Sequence, residues 1–213
     1  MNLYLVRHGQ SVANDRGIIQ GHKDFPLSEL GQNQARLLGE FLESQSFDYI
    51  YSSHLTRAHE TAKAISAHQP LDVIKWERIC EINLGPLEGK TRQEIYLQYP
   101  ELKAKSKSIL TTGIVGTETV EEITDRCHQV LEELLSGHKR HNVILVSHGG
   151  FISIFLMYLM YGHKWYQAHR PFVIGNTGVS RIEFLDDGKP IFHYINSDAH
   201  LLLANMQRES ELF

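Results

Sequence analysis

The feature of this sequence that most restricts its fold is an alternation of short apolar runs with segments of helical periodicity. Residues 3–6 form an apolar run rich in strand formers, and apolar side chains recur at helical spacing between residues 28 and 45. Residues 47–51, 54–68 and 71–76 continue the series as strand, helix and strand. This βαβαβ order predicts an α/β protein, a three-layer α/β/α sandwich with a mostly parallel central sheet.

The second half of the chain continues the alternation. Thr91-x-x-Glu94 and Thr119-x-x-Glu122 are capping boxes, which predict helices at 91–99 and 119–137. Residues 142–147 read as a buried strand that leads into an apolar helix, and strands at 179–185 and 191–195 follow around a turn. The glycines at 111–116 predict a mobile connection or a lid. No long linker interrupts the 213 residues, so we predict a single domain over residues 1–213.

Composition and charge limit the class of partner. The chain has 21 Lys plus Arg against 25 Asp plus Glu, a formal charge of −4, which argues against a nucleic-acid partner and favours a small molecule. The apolar segment 151–161 is shorter than the roughly 18 residues of a membrane span, so we expect no membrane partner. That segment is interpreted as a core helix, with a homodimer surface as the alternative.

The cysteines and the N-terminal residues indicate the cellular compartment of the protein. Cys80 and Cys127 cannot form a disulfide framework, and neither shows zinc-site spacing. The N-terminal residues have no basic region and too short an apolar stretch for a signal peptide. We therefore predict a cytoplasmic protein. The histidines show no HExxH pattern, and we predict no metal and no cofactor.

Two predicted strands end in the same kind of sequence. The first strand leads into Arg7-His8-Gly9, and the strand at 142–147 leads into His148-Gly149. Because the carboxyl ends of parallel strands meet at one edge of a sheet, we expect these residues to face one crevice. Arg7 and Arg57 carry forked guanidinium donors suited to phosphoryl oxygens. A neutral imidazole beside such cations can attack phosphorus, so the residues predict a phosphate site.

Several motifs then occur in order along the chain. They are Leu5-Val6-Arg7-His8-Gly9-Gln10-Ser11, Asn14, Gln20-Gly21, Ser52-Ser53-x-Leu55-x-Arg57-Ala58-x-x-Thr61-Ala62, Glu81-x-x-x-Gly85-x-x-Glu88-Gly89-Lys90-Thr91 and Val146-Ser147-His148-Gly149-Gly150. Over residues 5–150 this set resembles the signature of the histidine phosphatase superfamily, the phosphoglycerate-mutase-like enzymes. The resemblance implies the phosphoglycerate-mutase-like fold and phosphoryl transfer.

The resemblance also implies a role for each site residue. It assigns the nucleophile to His8, which would form a phosphohistidine, and the proton donor and later base to Glu81. It implies that Arg7, Arg57 and His148 bind the phosphoryl oxygens. Four residues are predicted to surround the substrate: Asn14, Gln20, Gly21 and His22. His22 stands where many family members carry an aromatic residue, commonly Trp.

Within this family the sequence favours a phosphatase. The Glu88-Gly89 pair is typical of the phosphatase branch. The stretch from Glu81 to His148 is shorter than in the mutases, which have a longer insertion that closes over the ligand. Residues 205–213 also do not resemble an extended tail that closes the site. We predict a metal-independent phosphomonoester hydrolase that acts on small phosphorylated metabolites. The alternatives are a cofactor-dependent phosphoglycerate mutase and, from another class, a non-catalytic phospholigand-binding regulatory domain.

Further residues are candidates for contacts outside the phosphate site. Tyr166, Phe172 and the 111–116 loop are predicted to contact the leaving group. Three lysines lie on alternate positions at 103, 105 and 107. They either steer anionic substrates toward the site or form a solvated face, and we favour the solvated face.

Overall fold

The computed structural model describes residues 1–104, 111–169 and 171–204, and the strands of these residues form one six-stranded sheet. The strands are β1 (Asn2–Arg7), β2 (Tyr49–Ser52), β3 (Val73–Lys75), β4 (Asn142–Ser147), β5 (Val179–Phe184) and β6 (Pro190–Ser197). Their order is β3-β2-β4-β1-β5-β6. β1 to β4 run parallel, whereas β5 is antiparallel to both of its neighbours. The mostly parallel sheet predicted from the sequence is confirmed.

Helices connect the strands. They are α1 (Val12–Asp15), α2 (Glu29–Leu42), α3 (Thr56–Ser66), α4 (Arg92–Gln98), α5 (Pro100–Ala104), α6 (Val120–Gly137), α7 (Gly149–Tyr161) and α8 (Ala199–Leu203). Both predicted capping boxes are present, because the Thr91 and Thr119 hydroxyls accept from backbone N–H groups while the glutamates reach back. Short 3₁₀ segments occupy Glu77–Ile79, Gly85–Leu87 and Gly162–Gln167.

The pleat of β1 divides the core into two layers. Leu3 and Leu5 belong to one buried cluster, which contains the apolar faces of α6 and α7. Tyr4 and Val6 point the opposite way and pack with α2 and α3. Alternating side chains of one strand therefore contact helices on both faces of the sheet, which confirms the three-layer α/β/α sandwich.

The apolar segment 151–161 is a core helix. Residues 149–158 of α7 are all buried, and the rings of Phe151 and Phe155 stack at 5.7 Å between centroids. Only the last turn reaches the surface, where Met160 is 42% exposed. Among the described residues no helix has the length and apolar character that crossing a membrane requires. The homodimer stays a prediction.

Some predicted boundaries differ from the structure. β2 begins at Tyr49 rather than at residue 47. Phe47 lies ahead of the strand and is buried against the Tyr4 ring, at 5.1 Å between ring centroids. The periodicity did not predict α1, α5, α8 or the 3₁₀ segments, since three to six residues are too few to show a helical period. Lys105, Lys107, part of the 103–116 segment and residues 205–213 lie outside the described residues.

The start of α2 packs directly against the loop that follows β1. Ser28 caps the helix by accepting from the Gly31 N–H at 3.1 Å, and its own N–H donates to the Gln10 carbonyl at 2.8 Å. A Cβ atom added to Gly31 would collide with the backbone of Gln10. The contact is therefore backbone against backbone, and it fixes the loop two residues after His8.

We expect Gly31→Ala to lower the free energy of unfolding by about 1–3 kcal/mol or more, because the added methyl group overpacks this contact. Gly137→Ala is the matched control, since Gly137 is also helical and has nothing within 4 Å of the added Cβ. That substitution should leave stability unchanged or raise it by up to about 1 kcal/mol. Urea unfolding measures both variants, and equal stabilities would contradict the packing argument.

Candidate active site

The two His-Gly segments meet at one edge of the sheet. β1 and β4 are adjacent and in register, with Arg7 opposite Ser147, so the next residue of each strand end lies side by side. The rings of His8 and His148 lie 5.1 Å apart between centroids. Both side chains are buried. The crevice predicted from the two strand ends is therefore confirmed.

One hydrogen bond determines which nitrogen of His8 is available for chemistry. Nδ1 lies 2.6 Å from the Gly9 carbonyl oxygen, which can only accept, so Nδ1 carries the proton. Nε2 is then the nitrogen with a free lone pair. Burial holds the pKa of His8 well below its usual value, and the charges of Arg57 and Arg7 lower it further. His8 is thus a neutral imidazole with a fixed tautomer.

A loop before β5 holds the backbone of His8. The Asn176 side-chain amide donates to the His8 carbonyl at 3.1 Å, and the Thr177 N–H donates to the same oxygen at 3.3 Å. Thr177 has φ +54°, a left-handed conformation that is strained for a β-branched residue. No sequence pattern considered above predicted this loop. Its available signal was the run Gly175-Asn176-Thr177-Gly178 directly before a strand.

The two arginines are buried and oriented by backbone carbonyls. Arg57 donates through Nη1 to Lys23 O at 2.9 Å and through Nη2 to Gly21 O at 2.8 Å. Its buried Nε–H finds no acceptor among the described residues. Arg7 donates from Nη1 to Ile174 O at 2.6 Å. Both guanidinium groups lower the pKa of His8, so both positive charges act on the same imidazole ring.

His148 is a buried imidazole whose ring nitrogens are unpaired within the described part of the chain. Burial keeps its pKa well below the usual value, and Arg57 and His8 add to this effect. A buried polar group without a partner costs roughly 1–3 kcal/mol, which a ligand oxygen would relieve by accepting from the ring N–H. The region beside His8 therefore contains N–H donors that lack acceptors in the described part of the structure, which is expected of a site that binds an anion.

Glu81 lies at the N-terminus of α7. Its Oε1 accepts from the N–H groups of Ile82 at 2.9 Å and Phe151 at 2.8 Å, and its Oε2 accepts from the Gly150 N–H at 3.1 Å. Three successive carbonyls of this segment are also held, those of Ile79 by Ser147, Cys80 by Arg126 and Glu81 by His22. Both the carboxylate and the backbone that carries it are therefore fixed.

These residues open into a cleft of about 660 Å³. Most of the predicted site residues line it: Arg7, His8, Asn14, Gln20, Gly21, Arg57 and Glu81. Tyr166, Phe172, Thr111 and Lys103 line it as well. His148 is wholly buried and adjoins the site through its ring contact with His8. One cleft thus contains both the predicted phosphate site and the predicted leaving-group residues.

The predicted substrate contacts differ in position. The Ser11 hydroxyl donates a hydrogen bond to Gln20 Oε1 at 2.8 Å. The side-chain NH₂ group of Gln20 is therefore the part that can donate to a ligand. Asn14 is buried and forms the capping box of α1 with Ser11. His22 is exposed and lies outside the cleft lining, because its Nε2–H donates to the Glu81 carbonyl at 2.8 Å. The structure brings His22 to the acid segment rather than to the cleft.

The two cysteines are poor candidates for a nucleophile. Burial raises the pKa of Cys80 to about 11 and that of Cys127 to about 12. Each thiol is therefore protonated near neutral pH, and the thiolate is the reactive form. This leaves the imidazole of His8 as the nucleophile that the site offers.

A neutral imidazole, two buried guanidinium groups, a second imidazole and a fixed carboxylate define a phosphoryl-transfer site. Residues 3–197 match the histidine phosphatase superfamily (branch 1), and the chain belongs to this family. The membership predicted from the ordered motifs is confirmed, and so is the assignment to the phosphatases of this family, which was predicted from the Glu88-Gly89 pair and the short stretch between Glu81 and His148.

Relatives of this chain include proteins named as phosphatases. PhoE of Bacillus subtilis, a phosphatase that is itself uncharacterized, is 32% identical over 92% of this chain and 95% of its own length. A mycobacterial glucosyl-3-phosphoglycerate phosphatase, solved with VO3, has a TM-score of 0.81 at 26% identity and covers 92% of this chain and 99% of its own. A phosphoserine phosphatase of Entamoeba histolytica, solved with 3-phosphoglyceric acid, has a TM-score of 0.76 at 28% identity and covers 94% and 98%.

We expect His8 and His148 to remain neutral at pH 6 in the folded protein, with the His8 proton on Nδ1. Imidazole ¹⁵N chemical shifts measure both properties, and His8→Asn assigns the signal. In the denatured chain the same rings should titrate near pH 6.5. Since the unfolded state then binds protons that the folded state does not, stability should fall as pH drops below about 6.5. A protonated His8 at pH 6 would contradict the burial argument.

Proposed function

We propose that this protein is a metal-independent phosphomonoester hydrolase that acts on small phosphorylated metabolites through a phosphohistidine at His8. The observation that carries the proposal is the His8 hydrogen bond to the Gly9 carbonyl, which leaves Nε2 unprotonated beside two buried guanidinium groups. A binding module needs the guanidinium groups, but it needs neither a nucleophile of fixed tautomer nor a held carboxylate. The arrangement therefore favours catalysis over binding alone.

In the first step the Nε2 lone pair of His8 attacks phosphorus, and the bond between phosphorus and the ester oxygen breaks. Arg7 and Arg57 balance the charge on the phosphoryl oxygens, and the His148 N–H donates to one of them. The leaving alkoxide takes a proton from Glu81. Oε1 of Glu81 already accepts two hydrogen bonds and Oε2 accepts one, so Oε2 is the oxygen that can carry this proton.

In the second step water replaces the alcohol. The Glu81 carboxylate removes a proton from the water, whose oxygen attacks phosphorus while the bond to Nε2 breaks. The electron pair returns to Nε2, which restores neutral His8, and Glu81 is protonated for the next cycle. Asn14, Gln20 and Gly21 surround the substrate in this proposal, and no metal or cofactor takes part.

The proposal includes a cytoplasmic location and no nucleic-acid or membrane partner. It is supported by two buried free cysteines and by the net charge of −4. A cleft of about 660 Å³ falls within the range of small-molecule sites.

We expect wild-type protein to release phosphate from a panel of phosphomonoesters in excess chelator, and His8→Asn to lower kcat by roughly 10³-fold or more. His54→Asn is the matched control because His54 is exposed and outside the cleft. A base-quenched reaction should also contain protein phosphorylated at His8. Turnover that persists in His8→Asn would overturn the assigned nucleophile.

A second outcome separates the proposed hydrolase from its alternatives. A phosphoglycerate mutase would isomerise phosphoglycerate in the presence of a bisphosphate and release little phosphate. A regulatory binding domain would bind phosphomonoesters without turnover in wild type and in Glu81→Gln. Either result, together with the absence of phosphate release, would reject the hydrolase.

For Glu81→Gln we expect a loss that depends on the leaving group. With alkyl phosphates kcat/KM should fall by roughly 10²–10⁴-fold, because the alkoxide loses its proton donor. With p-nitrophenyl phosphate kcat/KM should fall much less, since nitrophenolate leaves without a proton. The kcat values for both substrates should fall, because the water step is shared. The exposed Glu43→Gln serves as the control, and equal losses of kcat/KM for both esters would reject the acid role.

A further inference from the structure

Besides the phosphate-site residues, the cleft lining contains a group of buried apolar side chains that the proposed phosphoryl chemistry does not use. Six such side chains are 0–3% exposed: Leu84, Leu102, Ile154, Met157, Trp165 and Ile174. They come from separate parts of the chain, including α5, α7 and the 3₁₀ segment Gly162–Gln167. The proposed phosphate-binding residues account for only part of the lining, so the apolar side chains are left to contact the leaving group.

Two polar side chains that lie among these apolar residues in the lining, Trp165 and Ser153, are already paired within the protein. The Trp165 indole N–H donates to Thr124 Oγ1 at 2.8 Å, so the ring offers carbon surface to the cleft. The Ser153 hydroxyl donates to the Phe172 carbonyl at 3.2 Å. A leaving group with several hydroxyls would therefore lose water on entering without gaining these donors as partners. An apolar leaving group loses no such hydrogen bonds.

The charges in the cleft also discriminate between leaving groups. Glu81 is the one carboxylate among the described lining residues, and it acts as the acid. The remaining charged residues of the outer part, Arg92 and Lys103, are cationic. A leaving group with an ammonium, such as that of phosphoserine, would meet these cations, and the described lining offers it no second carboxylate. Neutral or anionic leaving groups meet no such repulsion.

Resting on the proposed function, we infer that the cleft selects phosphate monoesters of apolar alcohols over those whose leaving group carries an ammonium or several hydroxyls. The apolar lining formed by Leu102, Met157 and Trp165 holds the carbon body of the leaving group. Specificity then follows from burial of carbon surface at one end of the cleft, while the phosphate end is common to all substrates.

Alkyl phosphates of different length test the inference without changing leaving-group reactivity. We expect kcat/KM for n-hexyl phosphate to exceed that for n-propyl phosphate by about tenfold or more, because three additional methylenes are buried. A terminal ammonium should reverse the gain, so 6-aminohexyl phosphate should be at least about tenfold poorer than n-hexyl phosphate. A hexyl to propyl ratio below about twofold, or equal turnover of the amino ester, would overturn the inference.

Met157→Gln places an amide of similar length in the apolar lining and should lower the hexyl to propyl ratio at least about threefold. Met160→Gln is the matched control on the same helix, because Met160 is 42% exposed and outside the lining, and its ratio should equal that of wild type. Both esters are assayed with the same preparation of each variant. A misfolded fraction lowers both rates equally and leaves the hexyl to propyl ratio unchanged. An unchanged ratio in Met157→Gln would contradict the assigned lining.

The two proposals fail in different ways. Absence of phosphate release from every ester would reject the hydrolase itself. Release that is equally fast from phosphoserine, n-propyl phosphate and n-hexyl phosphate would keep the hydrolase and reject the apolar selection. If Met157→Gln does not fold, the alkyl series on wild-type protein decides alone.

Discussion

The burial of two guanidinium charges beside a neutral imidazole is the interaction on which the rest of this structure depends. A buried cation is costly unless it is hydrogen-bonded and balanced. Arg57 meets this cost with the carbonyls of Lys23 and Gly21 and with the nearby charge of Glu81. Burial, together with the same positive field, keeps His8 unprotonated, so one arrangement supplies both the positive charge and the neutral imidazole that the proposed phosphoryl transfer requires.

The helix that follows β4 has an unexpected role in this arrangement. Helix N-termini commonly bind phosphate, because their free N–H groups and the helix dipole favour an anion. Here the N–H groups of Gly150 and Phe151 bind the Glu81 carboxylate instead. The α7 terminus therefore positions the Glu81 carboxylate, and in the proposed mechanism the phosphate charge is left to the arginines and His148. Gly149 lets this terminus approach closely, since an added Cβ would lie 3.3 Å from Arg7 Nε.

The sequence predicted the parts of the site that depend on strand ends. Two buried apolar runs that each end in a histidine and a glycine predict the strand ends, and the observed parallel register of β1 with β4 brings His8 beside His148. The contacts made by loops could not be read in this way. The Asn176 bond to the His8 carbonyl and the His22 bond to the Glu81 carbonyl depend on loop conformations, which no periodicity encodes. For the same reason His22, although next to Gly21 in sequence, lies outside the cleft.

The two ends of the cleft differ in how freely their residues can change. At the phosphate end, Arg57, His8 and Glu81 are each held by backbone groups, so a change in one disturbs several hydrogen bonds. The apolar end is held by packing, and cores tolerate exchange among apolar side chains of similar volume. New leaving-group preferences can therefore arise there while phosphoryl transfer is kept.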